Sequence, residues 1–374
     1  MPSRPFDVLV IGAGIVGAAC AEELVRSGLS VAICEADVIG GGATAAGMGH
    51  LAVMDDSEEQ FALTSYSQSL WNALAPELPS DAEFLPCGAL WVAADAQEMA
   101  EVIRKHSFYT SRGVAAEILD SRQLAEAEPN LRAGLAGGLL VPGDSVCYPP
   151  CVTRYLIAKA TGHGATVFQP ARVAEITSSG ARLENGDVIS AKLVVLATGA
   201  WARELLHDLA IRPRKGHLLI TDRYPGFVHH QLIELGYLKS AHAVQTDSVA
   251  FNIQPRATGQ LLIGSSRQFG NEDSTVEQAV LKQMLRRAAE YMPALSQLSA
   301  IRVWTGHRAA TPDKLPLIGP CPGRENIYLA TGHEGLGIST SLATARLVTD
   351  QILNRSSEIP CDPYLPERSY AQHA

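Results

Sequence analysis

Residues 7–37 read DVLVIGAGIVGAACAEELVRSGLSVAICEAD, and the glycines in this stretch decide the fold. Val8–Ile11 is a short apolar run of the kind buried in a parallel sheet. Gly12, Gly14 and Gly17 follow at GxGxxG spacing, with Ala13, Ile15 and Val16 between them, and a second apolar run over Val31–Cys34 ends at Glu35 and Ala36. The order strand, glycine turn, helix, strand, acid is that of a dinucleotide-binding βαβ unit. The first glycine permits the tight turn, the second lets backbone approach a pyrophosphate, and the third lets helix and strand pack closely. Phosphate then sits on unpaired N–H groups at the helix N-terminus. Glu35 stands where a carboxylate accepts hydrogen bonds from an adenosine ribose, which disfavours a 2′-phosphate and hence NADP.

Outward from this unit, composition sets limits. The chain has 374 residues, 18% charged and 47% hydrophobic, enough for two domains and a large core. A formal charge of −9 with no basic stretch argues against a nucleic-acid partner. The text before the first strand leaves no room for a signal peptide, and no apolar run has transmembrane length, so a cytoplasmic protein is expected. Seven scattered cysteines form no CxxC and no zinc-ligand spacing, so reduced thiols and no metal site are expected, with Cys20 and Cys34 in the core.

Along the chain, IGGGATAAGMGHLA (39–52) is too small-sided to pack a core and reads as a loop and helix start lying against a ligand. From Asp55 helical and strand-like segments alternate up to a turn-rich stretch at PGDSVCYPP (142–150). A buried strand then runs into Thr198-Gly199-Ala200. Residues 215–303 return to alternating strand text, with a helix over Thr275 to Tyr291, and 304–320 is dense in turn chemistry. GHEGLG then opens a long helix from about Ile338. The expected fold is α/β: a Rossmann-type dinucleotide domain from 1–54, 142–214 and 304–374, with an inserted α+β substrate domain from 55–141 and 215–303 on a mixed or antiparallel sheet. A single glycine fingerprint, a glycine-alanine segment suited to an extended cofactor and a C-terminal glycine loop select FAD, with electrons drawn from an organic substrate.

Five segments, VIGAGIVGAACAEEL (10–24), GGGATAAGMG (40–49), LATGAWA (196–202), GHRAATPDKLPLIG (306–319) and YLATGHEGLGI (328–338), together resemble the D-amino acid oxidase superfamily of FAD-dependent amine oxidoreductases. Its glycine and sarcosine oxidase-like branch is the most similar. The resemblance implies that Ala43, Thr44, Ala45, Ala46, Gly47 and Met48 pass the diphosphate and isoalloxazine. Val173 would meet the adenine by backbone. Thr198, Gly199 and Trp201 match a second turn on the cofactor, and Gly335, Leu336, Gly337 and Ile338 lie beneath the flavin pyrimidine, where a helix N-terminus favours developing negative charge. Arg308 falls where relatives bind the substrate carboxylate, a task suited to a planar guanidinium; the plainer alternative is an inter-domain salt bridge. Ala309 and Ala310 stand where a branch with covalent flavin has cysteine, so noncovalent FAD is expected. Gly335 replaces a second arginine of glycine oxidase-like sequences.

His50 and His333 either line the substrate site or fix loop backbone, and Phe251 matches a position whose aromatic ring often faces the substrate. The closest implied activity is a D-hydroxyproline dehydrogenase: hydride passes from the α-carbon to flavin N5, and cis-4-hydroxy-D-proline or another D-proline-type ring becomes a Δ1-pyrroline carboxylate. A glycine- or sarcosine-type amine oxidase, or a flavoprotein without oxidase activity, stays open, as does the electron acceptor, whether oxygen, quinone or protein.

Overall fold

The computed structural model describes residues 4–236 and 248–368. Tyr237 lies outside the described residues. The chain opens with β1 (Phe6–Ile11), α1 (Ile15–Arg26) and β2 (Val31–Cys34), followed by the short α2 (Gly42–Ala46) and β3 (His50–Leu51). Next comes α3 (Glu58–Leu74), whose start is fixed by Ser57 accepting from Gln60 N–H at 3.1 Å, with Glu58 and Glu59 in the positive first turn. Then follow β4 (Ala89–Ala93), α4 (Ala96–Thr110), β5 (Glu117–Asp120), α5 (Ser121–Ala127), β6 (Gly137–Val141) and β7 (Ser145–Val146). Asp120 and Gln123 close a reciprocal capping box on α5.

The chain continues through α6 (Pro149–Gly162), β8 (Thr166–Phe168), β9 (Val173–Thr177), β10 (Gly180–Leu183), β11 (Val188–Leu196) and α7 (Ala202–Leu205). Long strands follow: β12 (Arg212–Arg223), β13 (Gln231–Glu234), β14 (Ser248–Pro255) and β15 (Gln260–Phe269). The last elements are α8 (Gln278–Tyr291), β16 (Ala300–Ala310), β17 (Leu317–Cys321), β18 (Arg324–Thr331) and α9 (Gly337–Ile352). No helix among the described residues is long and apolar enough to cross a membrane.

Two sheets organise these elements. The first has the order β17-β18-β11-β1-β2-β8, with β9 and β10 as a meander off β11; β1 pairs in parallel with β11 and β2. Both faces of β1 are buried. Val8 and Val10 enter a core with Leu24 of α1, Leu156 of α6 and Leu347 of α9, while Leu9 and Ile11 enter another with Ala181, Ile189 and Leu206. A strand covered on both sides has no polar face to alternate with, which is why residues 8–11 read as an unbroken apolar run. Cys20 and Cys34 are buried in these cores, and all seven cysteines are free thiols.

The second sheet is mixed, in the order β16-β12-β15-β14-β13-β4-β6-β5, with β13 and β4 parallel and the other pairs antiparallel. On one face Leu219, Phe251 and Ile263 pack against Met284 and Tyr291 of α8. The other face of β14, β15 and β16 meets residues 46–48: Trp304 donates to the Ala46 carbonyl at 3.3 Å and Gln254 to the Met48 carbonyl at 2.8 Å. Residues 304–310, expected as turn, are strand. Their glycine and polar content suits a long antiparallel pairing in which Gly306 faces Gly216 and Arg308 faces Arg214. β12 and β16 thus run across the expected boundaries at 214/215 and 303/304.

Candidate active site

Three helix N-termini meet where the glycine fingerprint ends. Neither Gly14 before α1, Gly41 before α2 nor Leu336 before α9 supplies a side-chain cap. Gly12 has φ +99°, and a Cβ there would lie 2.7 Å from the Ala197 carbonyl oxygen, while one on Gly17 would overlap the Gly12 carbonyl. A Cβ on Gly14 would come within 3.1 Å of Thr44 Oγ1, which accepts from Ile15 N–H at 3.0 Å, and one on Gly47 within 2.7 Å of Ile338 Cδ1. The 12–17, 43–48 and 335–338 segments are therefore one place, with glycine wherever backbone must come close.

Glu35 closes the end of β2. Its carboxylate accepts from Ala13 N–H at 2.7 Å and Asp37 N–H at 2.8 Å, and its carbonyl accepts from Ala171 N–H at 2.7 Å, which carries Val173 to the same edge. Thr198 Oγ1 is buried without a partner beside Gly199, whose carbonyl accepts from Thr331 at 2.9 Å. Helix N-termini whose cap residues supply no side chain, glycines at the close backbone approaches and an orphaned hydroxyl suit an extended dinucleotide such as FAD.

Across from this cradle the second sheet presents cations. Arg308 faces Arg214 in the β16–β12 register, Arg214 faces Phe269 in the β12–β15 register, and Arg267 lies two residues from Phe269, so all three arginines share one face. Arg214 is paired with Glu334 of the glycine loop and sits over the Phe269 ring at 4.6 Å. Arg308 donates to the Ser266 carbonyl at 3.0 Å and has no ion pair among the described residues. Burial pushes the Arg308 guanidinium down to about 10, Glu334 opposing and Arg214 adding to the shift. Burial does the same to Arg267, to about 9, with Arg308 and Arg214 reinforcing it. Three clustered cations facing one carboxylate favour an incoming anion.

The histidines divide. His50 lies beside Gln254, with its Nε2 buried and unpartnered, and burial pushes it down to about 4, so it is neutral at physiological pH. His333 Nε2 is 3.0 Å from Thr344 Oγ1 in α9, and burial likewise holds it at about 4. Its ring ties the glycine loop to the helix it opens. Trp201 sits edge-on to His307 at 5.6 Å and is 40% exposed. Phe251 is not on the Arg308 face. It is 0% exposed and stacks on Tyr291 at 4.7 Å, because a bulge between Val249 and Asn252 sets which residues of β14 face α8. Asn252, opposite Gly264, and Gln254 hold the site face instead. Along with Arg214 and Arg267, these two escaped the sequence reading; the available signal was polar residues embedded in otherwise buried strand text.

A βαβ nucleotide cradle facing a mixed sheet that carries an arginine cluster suits a dinucleotide-dependent enzyme acting on an anionic substrate. The chain matches the FAD dependent oxidoreductase family over residues 7–351 and belongs to that family, DAO. It is 30% identical over 377 residues to the glycine oxidase of Geobacillus kaustophilus (strain HTA426), covering 96% of each chain. The crystal structure of glycine oxidase from Geobacillus kaustophilus superposes with a TM-score of 0.87 at 28% identity, covering 97% of this chain and 98% of that one. L-proline dehydrogenase from P. horikoshii shares the fold, with a TM-score of 0.87 at 24% identity over 98% of both chains. FAD is accordingly the cofactor, and the cradle described above fits it.

Proposed function

We propose that this enzyme oxidises a small amino or imino acid at its α-carbon, with cis-4-hydroxy-D-proline or another D-proline-type ring as the preferred substrate and noncovalently held FAD. The observation that carries the reading is Arg308, a half-buried guanidinium without an ion pair among the described residues, on the sheet face turned to the cofactor segment. The units built on the two sheets, 1–54, 142–214 and 304–374 against 55–141 and 215–303, then serve as FAD-binding and substrate-binding domains, with the crossings inside β12 and β16.

In this mechanism Gly12, Gly14 and Gly17 would admit the diphosphate to the N-terminus of α1, Glu35 would receive the ribose and Ala43–Met48 would line the rest of the cofactor. FAD, when bound, supplies the acceptor for the hydride that leaves the substrate α-carbon. Arg308 fixes the substrate carboxylate through two parallel hydrogen bonds, leaving one orientation for the α C–H. Neutral His50 adds no positive charge that would compete for the carboxylate. The N-terminus of α9 at Gly337, tied by His333 to Thr344, stabilises negative charge developing over the glycine loop. The product is an imine, or for a proline-type ring a Δ1-pyrroline carboxylate.

The glycine oxidase relatives support glycine as the alternative substrate, and a sarcosine-type amine belongs to the same reading. Seven free thiols accord with a cytoplasmic setting. Anaerobic mixing of the holoenzyme with D- and L-amino acids, including ring and N-methyl forms, tests the reading: bleaching of the flavin band by at least one is expected, and none bleaching it defeats the proposal. Admitting air afterwards separates oxygen from other acceptors.

A further inference from the structure

Resting on the reading above, we infer that Asn252, Gln254 and His50 form a hydrogen-bond-acceptor pocket that selects a substrate carrying a hydroxyl group at the end remote from its carboxylate. Gln254 is 1% exposed, and its amide nitrogen is committed to the Met48 carbonyl at 2.8 Å. A carbonyl can only accept, so this bond fixes the amide orientation and leaves Oε1 on the other side, buried and turned to the His50 ring. Asn252 Oδ1, two residues earlier on the same face of β14, is also buried and unpartnered, as is His50 Nε2. Burial keeps that imidazole neutral, so one ring nitrogen is an acceptor.

The pocket therefore holds acceptors in excess of donors. Leaving such groups dry costs on the order of 1–3 kcal/mol each, so the site is complete only with a donor from outside. A hydroxyl suits it, because it donates one hydrogen and still accepts from the Asn252 amide or the imidazole N–H.

The spacing fits a small substrate. Arg308 reaches across β12 to the Ser266 carbonyl on β15, and Asn252 on the next strand pairs with Gly264, two residues from Ser266. One strand spacing sideways and two residues along place the two positions about 8 Å apart. A carboxylate and a ring hydroxyl, each with one hydrogen bond outward, span a comparable distance.

The test is anaerobic flavin reduction by the holoenzyme with cis-4-hydroxy-D-proline and D-proline, read as the ratio of their KM values. The native enzyme is expected to favour the hydroxylated ring by at least about tenfold. Asn252→Leu should bring the ratio close to unity, and Asn252→Asp, which keeps an acceptor, should retain the preference. A native ratio near unity overturns the inference without any variant. Looser FAD binding in Asn252→Leu with an unchanged ratio also overturns it, assigning the acceptors to the cofactor. Reduction by other amino acids with neither ring active defeats this inference alone; no reduction by any member of the panel defeats the parent reading with it.

Discussion

Gly335 stands over the stem of Arg308: a Cβ built on it would lie 3.0 Å from Arg308 Cδ and 3.2 Å from Nε. The same glycine has φ +100°, so any side chain there is strained as well as crowded. The space that a side chain at 335 would need is thus filled by the Arg308 stem. Gly335→Ala should displace the guanidinium while FAD stays bound. A strain of about 1–3 kcal/mol corresponds to a rise of roughly tenfold or more in amino-acid KM, read by steady-state kinetics beside the flavin spectrum.

Removing the guanidinium tests its role directly. Arg308→Ala should raise KM by at least roughly 100-fold, the loss of two charged hydrogen bonds of about 1.5–3 kcal/mol each, with the flavin content unchanged. Arg308→Lys keeps the charge but not the planar fork, and should recover only part of the loss. Native KM in the alanine variant would assign Arg308 to structure.

The Arg214–Glu334 pair links β12 to the glycine loop, and its side chains are only 6% and 10% exposed. Glu334→Ala leaves Arg214 charged beside Arg308 and Arg267. Breaking such a pair costs about 3–5 kcal/mol, so thermal unfolding should shift down by several degrees and FAD should dissociate more readily on dilution. The double variant Arg214→Met, Glu334→Leu should recover much of the stability, since it removes both charges together.

The sequence disclosed most where one local rule governs several residues. Val8–Ile11 and Gly12, Gly14 and Gly17 could be placed because two-sided burial and backbone clearance leave little freedom of residue choice. Arg308 was visible only through the surrounding family motif. Arg214 and Arg267 were not visible, because their meeting with Arg308 depends on the strand order β16-β12-β15, which no alternation pattern records. Phe251 and Asn252 were exchanged for a similar reason: the bulge after Val249 shifts the faces of β14, and a one-residue shift reverses inside and outside.

That exchange yields its own test. Phe251 stacks on Tyr291 with the rings 2° from parallel, in the core beneath α8. Phe251→Leu should lower stability by roughly 1–3 kcal/mol, measured by urea unfolding, and leave the KM of the folded enzyme within about twofold. A large KM change with little loss of stability would return the ring to the substrate side.

Asp144 offers a stability test with a defined pH window. It is fully buried; Oδ1 accepts from Val53 N–H at 3.2 Å and from Gln68 at 2.8 Å, while Oδ2 has no partner. Burial pushes its carboxyl from 3.8 up to about 7, with the Val53 and Gln68 hydrogen bonds and Lys105 opposing. Below about 4 the group is protonated both folded and unfolded and contributes no pH dependence. Between there and about 7 the folded chain holds a proton that the unfolded chain has released, so stability falls as pH rises, by up to about 1.4 kcal/mol per pH unit. Asp144→Asn keeps the Oδ1 bonds and never ionises. Its stability relative to the native protein should therefore climb from pH 4 to 7 and level off above, as followed by unfolding midpoints at each pH. His50 and His333, depressed from 6.5 to about 4, act the other way, removing stability as pH falls through that interval. They are common to both proteins and cancel in the difference. A difference that stays flat across the window would show that Asp144 is ionised in the folded chain at every pH tested.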